Sequence, residues 1–333
     1  MAYQLLKRLS LIGAVLALCV VVLGAYVRLS DAGLGCPDWP GCFGTLTVPE
    51  SESAIQQAQI AFPDKPVETG KAWKEMAHRY LAGALGFVVL AIFVFTWKER
   101  RIVKMSPHLT TGLLGLIIFQ ALLGMWTVTL LLKPVIVSAH LIGGMTTLGI
   151  LTWIAHRCYG QFNVISISPS LKLAIRLAVL VLLGQIFLGG WTSTNYAALA
   201  CTDFPTCHGV WMPDMNFKDA FHLVRELGQS ADGGQLTLAS LTAIQWTHRI
   251  GALIVFLYVG ALGLKLIKIP EMKILSILLV TVMLTQIVVG IGNLVMHLPL
   301  LLAVAHNLGA ALLVVIIVVI NSKITPKTYR QSK

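Results

Sequence analysis

Apolar residues run along this chain in eight long stretches, roughly 9–29, 73–97, 109–131, 135–156, 171–194, 238–265, 272–295 and 300–321. Each reaches the ~20 residues that an α-helix needs to cross the hydrocarbon core of a bilayer. The runs are continuous and do not alternate at every second position, which excludes a transmembrane β-barrel. Two long polar segments interrupt the pattern, about 30–72 between the first and second stretches and about 195–237 between the fifth and sixth. The other connections are short. The pattern predicts an all-α membrane protein of eight transmembrane helices. Lys7 and Arg8 precede a stretch of full spanning length with no small-residue cleavage site behind it, so the first helix is read as uncleaved.

Composition agrees. The 333 residues are 56% hydrophobic and only 12% charged, against about 25% charged in soluble domains. The net charge of +11 does not point to nucleic acid, because the basic residues cluster between alternate apolar stretches. Lys7, Arg8, Lys98, Arg100, Arg101, Lys104, Arg157, Lys172, Arg176, Lys265, Lys268, Lys273, Lys323, Lys327, Arg330 and Lys333 fall on one side. The positive-inside rule makes that side cytoplasmic. Both termini are then inside and both long loops outside.

The chain also repeats itself, which is informative about architecture. Cys36-Pro-Asp-Trp-Pro-Gly-Cys42 in the first long loop matches Cys201-Thr-Asp-Phe-Pro-Thr-Cys207 in the second. His78-Arg79 matches His248-Arg249. Gln120 and Gly124 precede His140 at the intervals by which Gln286 and Gly290 precede His306. Gln120-x-x-x-Gly124-x-Trp126-Thr127 further resembles Gln185-x-x-x-Gly189-x-Trp191-Thr192, so either the four-helix half or a helix pair is the unit. Four spans per half make the repeats parallel, related by an axis along the membrane normal. Two pseudo-twofold-related four-helix bundles are expected, 1–160 and 161–333.

His78, His140, His248 and His306 carry the candidate chemistry. His78 and His140 lie about six and five residues inside spans that run from outside to inside, on the order of 8–9 Å below the outer edge, and His248 and His306 repeat the arrangement in the second half. Ionisable groups within spans are costly and usually functional. Four at matched depth in two matched pairs suit two bis-histidine heme sites, since heme iron takes axial protein ligands. A closed zinc site, which gathers about four ligands, suits them less well. His108, His156, His208, His222 and His297 fall at helix ends or in loops and are not expected to be ligands.

Glu75 precedes His78 by three residues and shares its helix face, whereas Gln245 holds that place before His248. One half would have an ionisable group beside its heme and the other a neutral amide. The bland alternative puts Glu75 at the membrane surface, paired with Lys71 or Lys74. Arg28, Arg79 and Arg249 suit heme propionates, or simple interfacial anchoring. Cys36 with Cys42 and Cys201 with Cys207 are expected to form one disulfide within each outer loop, structural or redox-active. Cys19, within the first span, and Cys158, at a cytoplasmic end, are read as buried or reduced and inert.

This set of features resembles the heme A synthase family: Glu-x-x-His-Arg at Glu75 to Arg79, the later His140, His248 and His306, and the paired loop cysteines. The opening Gly24-Ala-Tyr-Val-Arg28-Leu-Ser-Asp-Ala-Gly33-Leu-Gly-Cys36-Pro-Asp-Trp-Pro is similar to that family's first helix and loop, and the resemblance covers nearly the whole chain. It implies oxidation of the C8 methyl of heme O to a formyl group, giving heme A for terminal oxidases. His78 and His140 would then hold the substrate heme, His248 and His306 a resident heme b, and Glu75 would be catalytic. It also implies a cell (inner) membrane location, a heme O synthase (farnesyltransferase) as supplier and an electron acceptor, with a homo-oligomer left open. The competing readings are a b-type electron-transfer cytochrome, which does not need Glu75, and a heme transporter or chaperone. A prenyltransferase is disfavoured, because the loops show no pair of Asp-rich motifs.

Overall fold

The computed structural model describes residues 2–100, 106–159, 164–230 and 232–326. Arg101, Lys104, Lys327, Arg330 and Lys333, placed above on the basic side, lie outside the described residues. The helices are α1 (Ala2–Leu29), α2 (Glu52–Ala61), α3 (Thr69–Lys98), α4 (Pro107–Thr129), α5 (Pro134–Tyr159), α6 (Pro169–Thr194), α7 (Phe217–Ala220), α8 (Leu238–Leu266), α9 (Lys273–Val295) and α10 (Leu300–Ile324). All but the short loop helices α2 and α7 are long and apolar enough to cross a membrane, which makes this a multi-pass membrane protein with eight candidate spans. The sequence pattern anticipated these eight, and neither loop helix.

Local chemistry sets the ends. Proline opens α4, α5 and α6, where its missing N–H costs nothing and its fixed φ favours the first turn. Ser168 and Thr237 cap α6 and α8 by accepting from Leu171 N and Ser240 N, as N-cap hydroxyls do. The first helix starts about seven residues earlier than expected, because Lys7 continues the helix and lies 4.0 Å over the Tyr159 ring.

The helices pack in two rings. α1, α3, α4 and α5 each touch the next and close on α1; α6, α8, α9 and α10 do the same. Between the rings α1 meets α10, α5 meets α6, and α5 meets α10. If α1, α3, α4 and α5 are matched in order with α6, α8, α9 and α10, every one of these contacts has its counterpart. The rings are not independent cores: one apolar cluster joins Leu85, Leu113 and Leu148 to Ile186, Val314 and Val318. Cys158 is buried, but Cys19 is exposed; it lies within the first span, yet on a part of α1 that no other helix covers.

The deeper repeat, the helix pair, is written in the backbone. At the C-terminal ends of α1, α4, α6 and α9, Asp31, Leu131, Tyr196 and His297 have φ of 54, 49, 54 and 57°. The N–H of the following residue reaches back five positions each time: Ala32 to Val27, Leu132 to Thr127, Ala197 to Thr192 and Leu298 to Asn293. This is the Schellman helix ending, made four times with side chains that seldom adopt positive φ.

The cysteine loops repeat as closely. Disulfides join Cys36 to Cys42 and Cys201 to Cys207, with Cα separations of 4.8 and 4.9 Å. The motif's aspartate closes the turn. Asp38 accepts from Phe43 N and Gly44 N at 2.7 and 2.8 Å; Asp203 accepts from His208 N and Gly209 N at 2.6 and 3.0 Å. Both glycines have φ of 76°, where a side chain would be strained. The Thr206 hydroxyl, foremost among these donors, holds the Asp203 carboxyl down to about 2. A carboxyl held below its usual value of about 3.9 stabilises the loop above that value and ceases to do so as pH falls through about 2. Asp203→Asn should therefore speed reduction of the Cys201–Cys207 disulfide by dithiothreitol several-fold at pH 7. An unchanged reduction rate would show that the carboxylate does not hold the turn.

Candidate functional site

Each intramembrane histidine is seated against a glycine of its neighbouring helix. A Cβ added at Gly24 of α1 would stand 2.8 Å from Cε1 of His78 on α3. The matching distances are 3.5 Å from Gly124 of α4 to His140 on α5, 3.1 Å from Gly189 of α6 to His248 on α8, and 3.0 Å from Gly290 of α9 to His306 on α10. Glycine at these four places lets an imidazole lie in the seam between two helices. Sequence reasoning had noticed Gly124 and Gly290 as spacing markers and Gly189 as part of a weaker match. It missed that each of them, with Gly24, is a seat. The signal was available: every seat lies seven residues before the positive-φ turn.

A second contact locks three of the four pairs. Gln120, Gln185 and Gln286, four residues before a seat glycine, press against Gly143, Gly251 and Gly309, three residues after a histidine. Gln185 Nε2 donates to the His248 carbonyl at 3.0 Å and Gln286 Nε2 to the His306 carbonyl at 2.6 Å. The His78 pair departs from this, with Val20 and Leu81 in the two places.

All four imidazoles line one cavity of about 2470 Å³, more than twice the upper end of the ~300–1,000 Å³ usual for ligand pockets. The His78 and His140 ring centroids are 6.5 Å apart, with planes at 85°. Metal–imidazole bonds run about 2.0–2.1 Å and a ring adds about 1.1 Å on each side, so two axial imidazoles bring their centroids to roughly 6–6.5 Å. The pair therefore fits one metal centre between its rings, and rings sharing an axis take any interplanar angle. No protein group bonds Nε2 of any of the four among the described residues, whereas Nδ1 of His248 lies 3.0 Å from Gln185 Nε2. Among those residues no three His, Cys, Asp or Glu side chains converge as a metal cluster; the histidines come in twos.

Glu75 is turned inward. It is 4% exposed and lines the cavity. Lys71 instead pairs with Glu68 at 3.0 Å, and Lys74 lies over the Tyr26 ring, so the surface alternative for Glu75 does not hold. The carboxylate accepts from Cys36 N at 3.0 Å and forms an ion pair with Arg79. Gln245 accepts from Cys201 N in the same manner. Both residues thus anchor a disulfide loop over the cavity, and what separates them is charge.

The three arginines are placed differently. Arg79 Nη1 donates to the carbonyls of Asp38, Pro40 and Gly41. Arg249 donates to those of Thr206 and Cys201 at 2.8 and 3.2 Å. Much of each fork is spent on the loop above it, a use the sequence did not suggest. Arg28 crosses between the rings to the Tyr196 hydroxyl and the Ser193 carbonyl, both at 3.1 Å, and its buried Nε has no partner. All three line the cavity.

A family model described as COX15-CtaA, cytochrome oxidase assembly protein, matches residues 7–318. The chain belongs to this family. A relative from Shewanella oneidensis named heme A synthase is 45% identical over 309 residues, 92% of this chain and 93% of the relative. Others of that name, from Caulobacter sp. strain K31 and Shouchella clausii, are each 30% identical; the first covers 90% of both chains, the second 73% of this chain and 76% of its own.

The seat geometry predicts graded effects. Gly24→Ala should destabilise by about 1–3 kcal/mol through overpacking against His78. Gly124→Ala, with its Cβ at 3.5 Å, should be neutral or stabilising, since alanine gains up to about 1 kcal/mol over glycine within a helix. Thermal unfolding in detergent compares them, and equal destabilisation would contradict the order.

Proposed function

We propose that this protein is a heme A synthase that oxidises the C8 methyl of heme O to a formyl group. The supporting observation is the pair of imidazoles spaced for one metal, beside a buried carboxylate, in a cavity large enough for two macrocycles. Membership of the family and relatives named heme A synthase agree with it. In this reading His78 and His140 hold the substrate heme in the first half, 1–160, and His248 and His306 hold a resident heme b in the second, 161–333. The termini face the cytoplasm, the disulfide loops face the periplasm, and the membrane is the inner membrane of the cell. A heme O synthase supplies the substrate.

Methyl to formyl is a four-electron oxidation that takes its oxygen from outside the macrocycle and releases protons. The resident heme, when bound, supplies one-electron redox chemistry toward an external acceptor. The protein's own groups do the rest. The glycine seats and the glutamine wedges fix three of the imidazoles, so each ligand keeps its direction without a mobile helix. Glu75 faces the substrate side as a desolvated carboxylate, able to take a proton or oppose developing positive charge. Arg79 is paired with it and ties it to the first disulfide loop. Arg28 is the guanidinium with a free buried donor and is assigned to a propionate; Arg79 and Arg249 add positive charge beside the other propionates while bracing the loops.

Glu75→Gln is a clean test, because Gln245 shows that an amide can still hold the loop N–H. The variant should fold and keep its hemes, while heme A formation falls by a factor of about 10²–10⁴, the usual worth of a positioned acid–base group. Mass analysis of hemes extracted after co-expression with a heme O source reads it. A normal heme A yield would remove Glu75 from the chemistry. Recovery of heme B alone from the unaltered protein would favour the electron-transfer cytochrome instead.

A further inference from the structure

Two of the spans, α3 and α8, carry a stripe of exposed side chains along their length. On α3 it runs through Trp73, Tyr80, Phe87 and Val94, at intervals of seven residues. Seven residues are close to two full turns, so these four share one face. On α8 the matching stripe runs through Ile250, Leu257 and Leu264. An apolar face of a spanning helix that no other helix covers meets the acyl chains of the bilayer.

The first disulfide loop runs down the α3 stripe. The Glu50 carboxylate accepts from Trp73 Nε1 at 2.6 Å, and the Leu46 carbonyl accepts from the Tyr80 hydroxyl at 2.6 Å. Trp73 and Tyr80 are about 10 Å apart along the helix. The four residues from Glu50 to Leu46 cover that drop, since extended chain advances about 3.3 Å per residue. Tryptophan concentrates at the membrane–water boundary and a carboxylate is costly in hydrocarbon, so Trp73 with Glu50 marks the boundary. Leu46 then lies about 10 Å inside it, and it is 77% exposed. The second loop repeats the arrangement. Cys207 pairs with Val210 across its turn as Cys42 pairs with Thr45, which puts Trp211 in the place of Leu46. Val210, Trp211 and Met212 are all exposed, Met212 to 78%. Ile250, two residues after His248, holds the place of Tyr80, two after His78.

We propose that the tips of both disulfide loops, Leu46 in the first and Trp211 with Met212 in the second, are seated among the acyl chains of the bilayer. A lone exposed leucine on a soluble surface means little. Here a hydrogen bond holds it to the lipid-facing stripe of a span, and the second loop repeats it with larger apolar side chains. The loops therefore continue the lipid-facing surface of α3 and α8 and are not wholly in water. Leu46, Tyr80, Trp211 and Ile250 also line the cavity, so each tip forms part of the cavity's flank toward lipid. This holds whichever reaction the cavity serves.

The test uses the full-length, unaltered protein in nanodiscs of phosphatidylcholine whose acyl chains carry a photoreactive diazirine. Illumination gives carbene adducts, which peptide mass spectrometry maps to residues. Phe87 and Leu257 serve as lipid-facing references. Lys218 and Asp232 serve as water-facing references, because their side chains are 77 and 83% exposed and charged. Adduct yields at Leu46 and at Trp211–Met212 should approach those of the first pair and exceed those of the second about tenfold, since acyl chains stay within the hydrocarbon core. A tip labelled no more than Lys218 and Asp232, whether because the tip is dark or because they are bright, overturns its assignment.

Discussion

The close approach of a glycine backbone to an imidazole is the contact on which the rest of this molecule depends. A histidine inside a membrane must be sheltered from lipid, and its ring is too large for an ordinary helix seam. Removing the opposing side chain makes room. That solution recurs between α1 and α3, α4 and α5, α6 and α8, and α9 and α10. Each seat lies seven residues before a helix ending of constant geometry, so the four rings take matching positions relative to those endings.

Three of the differences between the halves lie on the His78 side. Val20 and Leu81 stand where the other pairs have glutamine against glycine. Glu75 stands where the second half has Gln245. Gly83, Gly86 and Ala121 stand where it has Leu253, Phe256 and Ile287. The first leaves His78 without the amide wedge that ties the helices of the other pairs. The second adds a buried charge, and burying a charge is tolerated only when it is paired and hydrogen-bonded, as Glu75 is by Arg79 and Cys36 N. A duplicated electron carrier has no need for such differences to collect around one site.

The disulfide loops are part of the same construction. Each disulfide turn is closed from within by its aspartate and held from below by an arginine and by Glu75 or Gln245. Under the proposed function, the residue beside the chemistry and the residue that fastens the loop are one and the same. Glu75 can carry both duties because a carboxylate has two oxygens: one accepts from Cys36 N and the other faces Arg79.

By itself the sequence determined the eight spans, the all-helical class, the internal repeat, the two cysteine pairs and the four histidines. Those properties follow from run length, composition and spacing, which are local or periodic. It left open whether Glu75 lay at the surface or faced inward, and it could not see that Arg79 and Arg249 spend their donors on loop carbonyls. It also read Cys19 as buried, because an apolar span does not reveal which of its faces another helix covers. The two short loop helices went unread, since each buries a single alanine, Ala58 or Ala220, and starts from a polar cap, Ser51 or Asn216, which leaves no apolar period to read. Only the tertiary structure decided that both histidine pairs open onto one cavity, that Arg28 bridges the two rings of helices, and that Glu75 is buried under the first disulfide loop. Each of these depends on which side chains of separate helices meet across a seam, and no single stretch of chain holds that information.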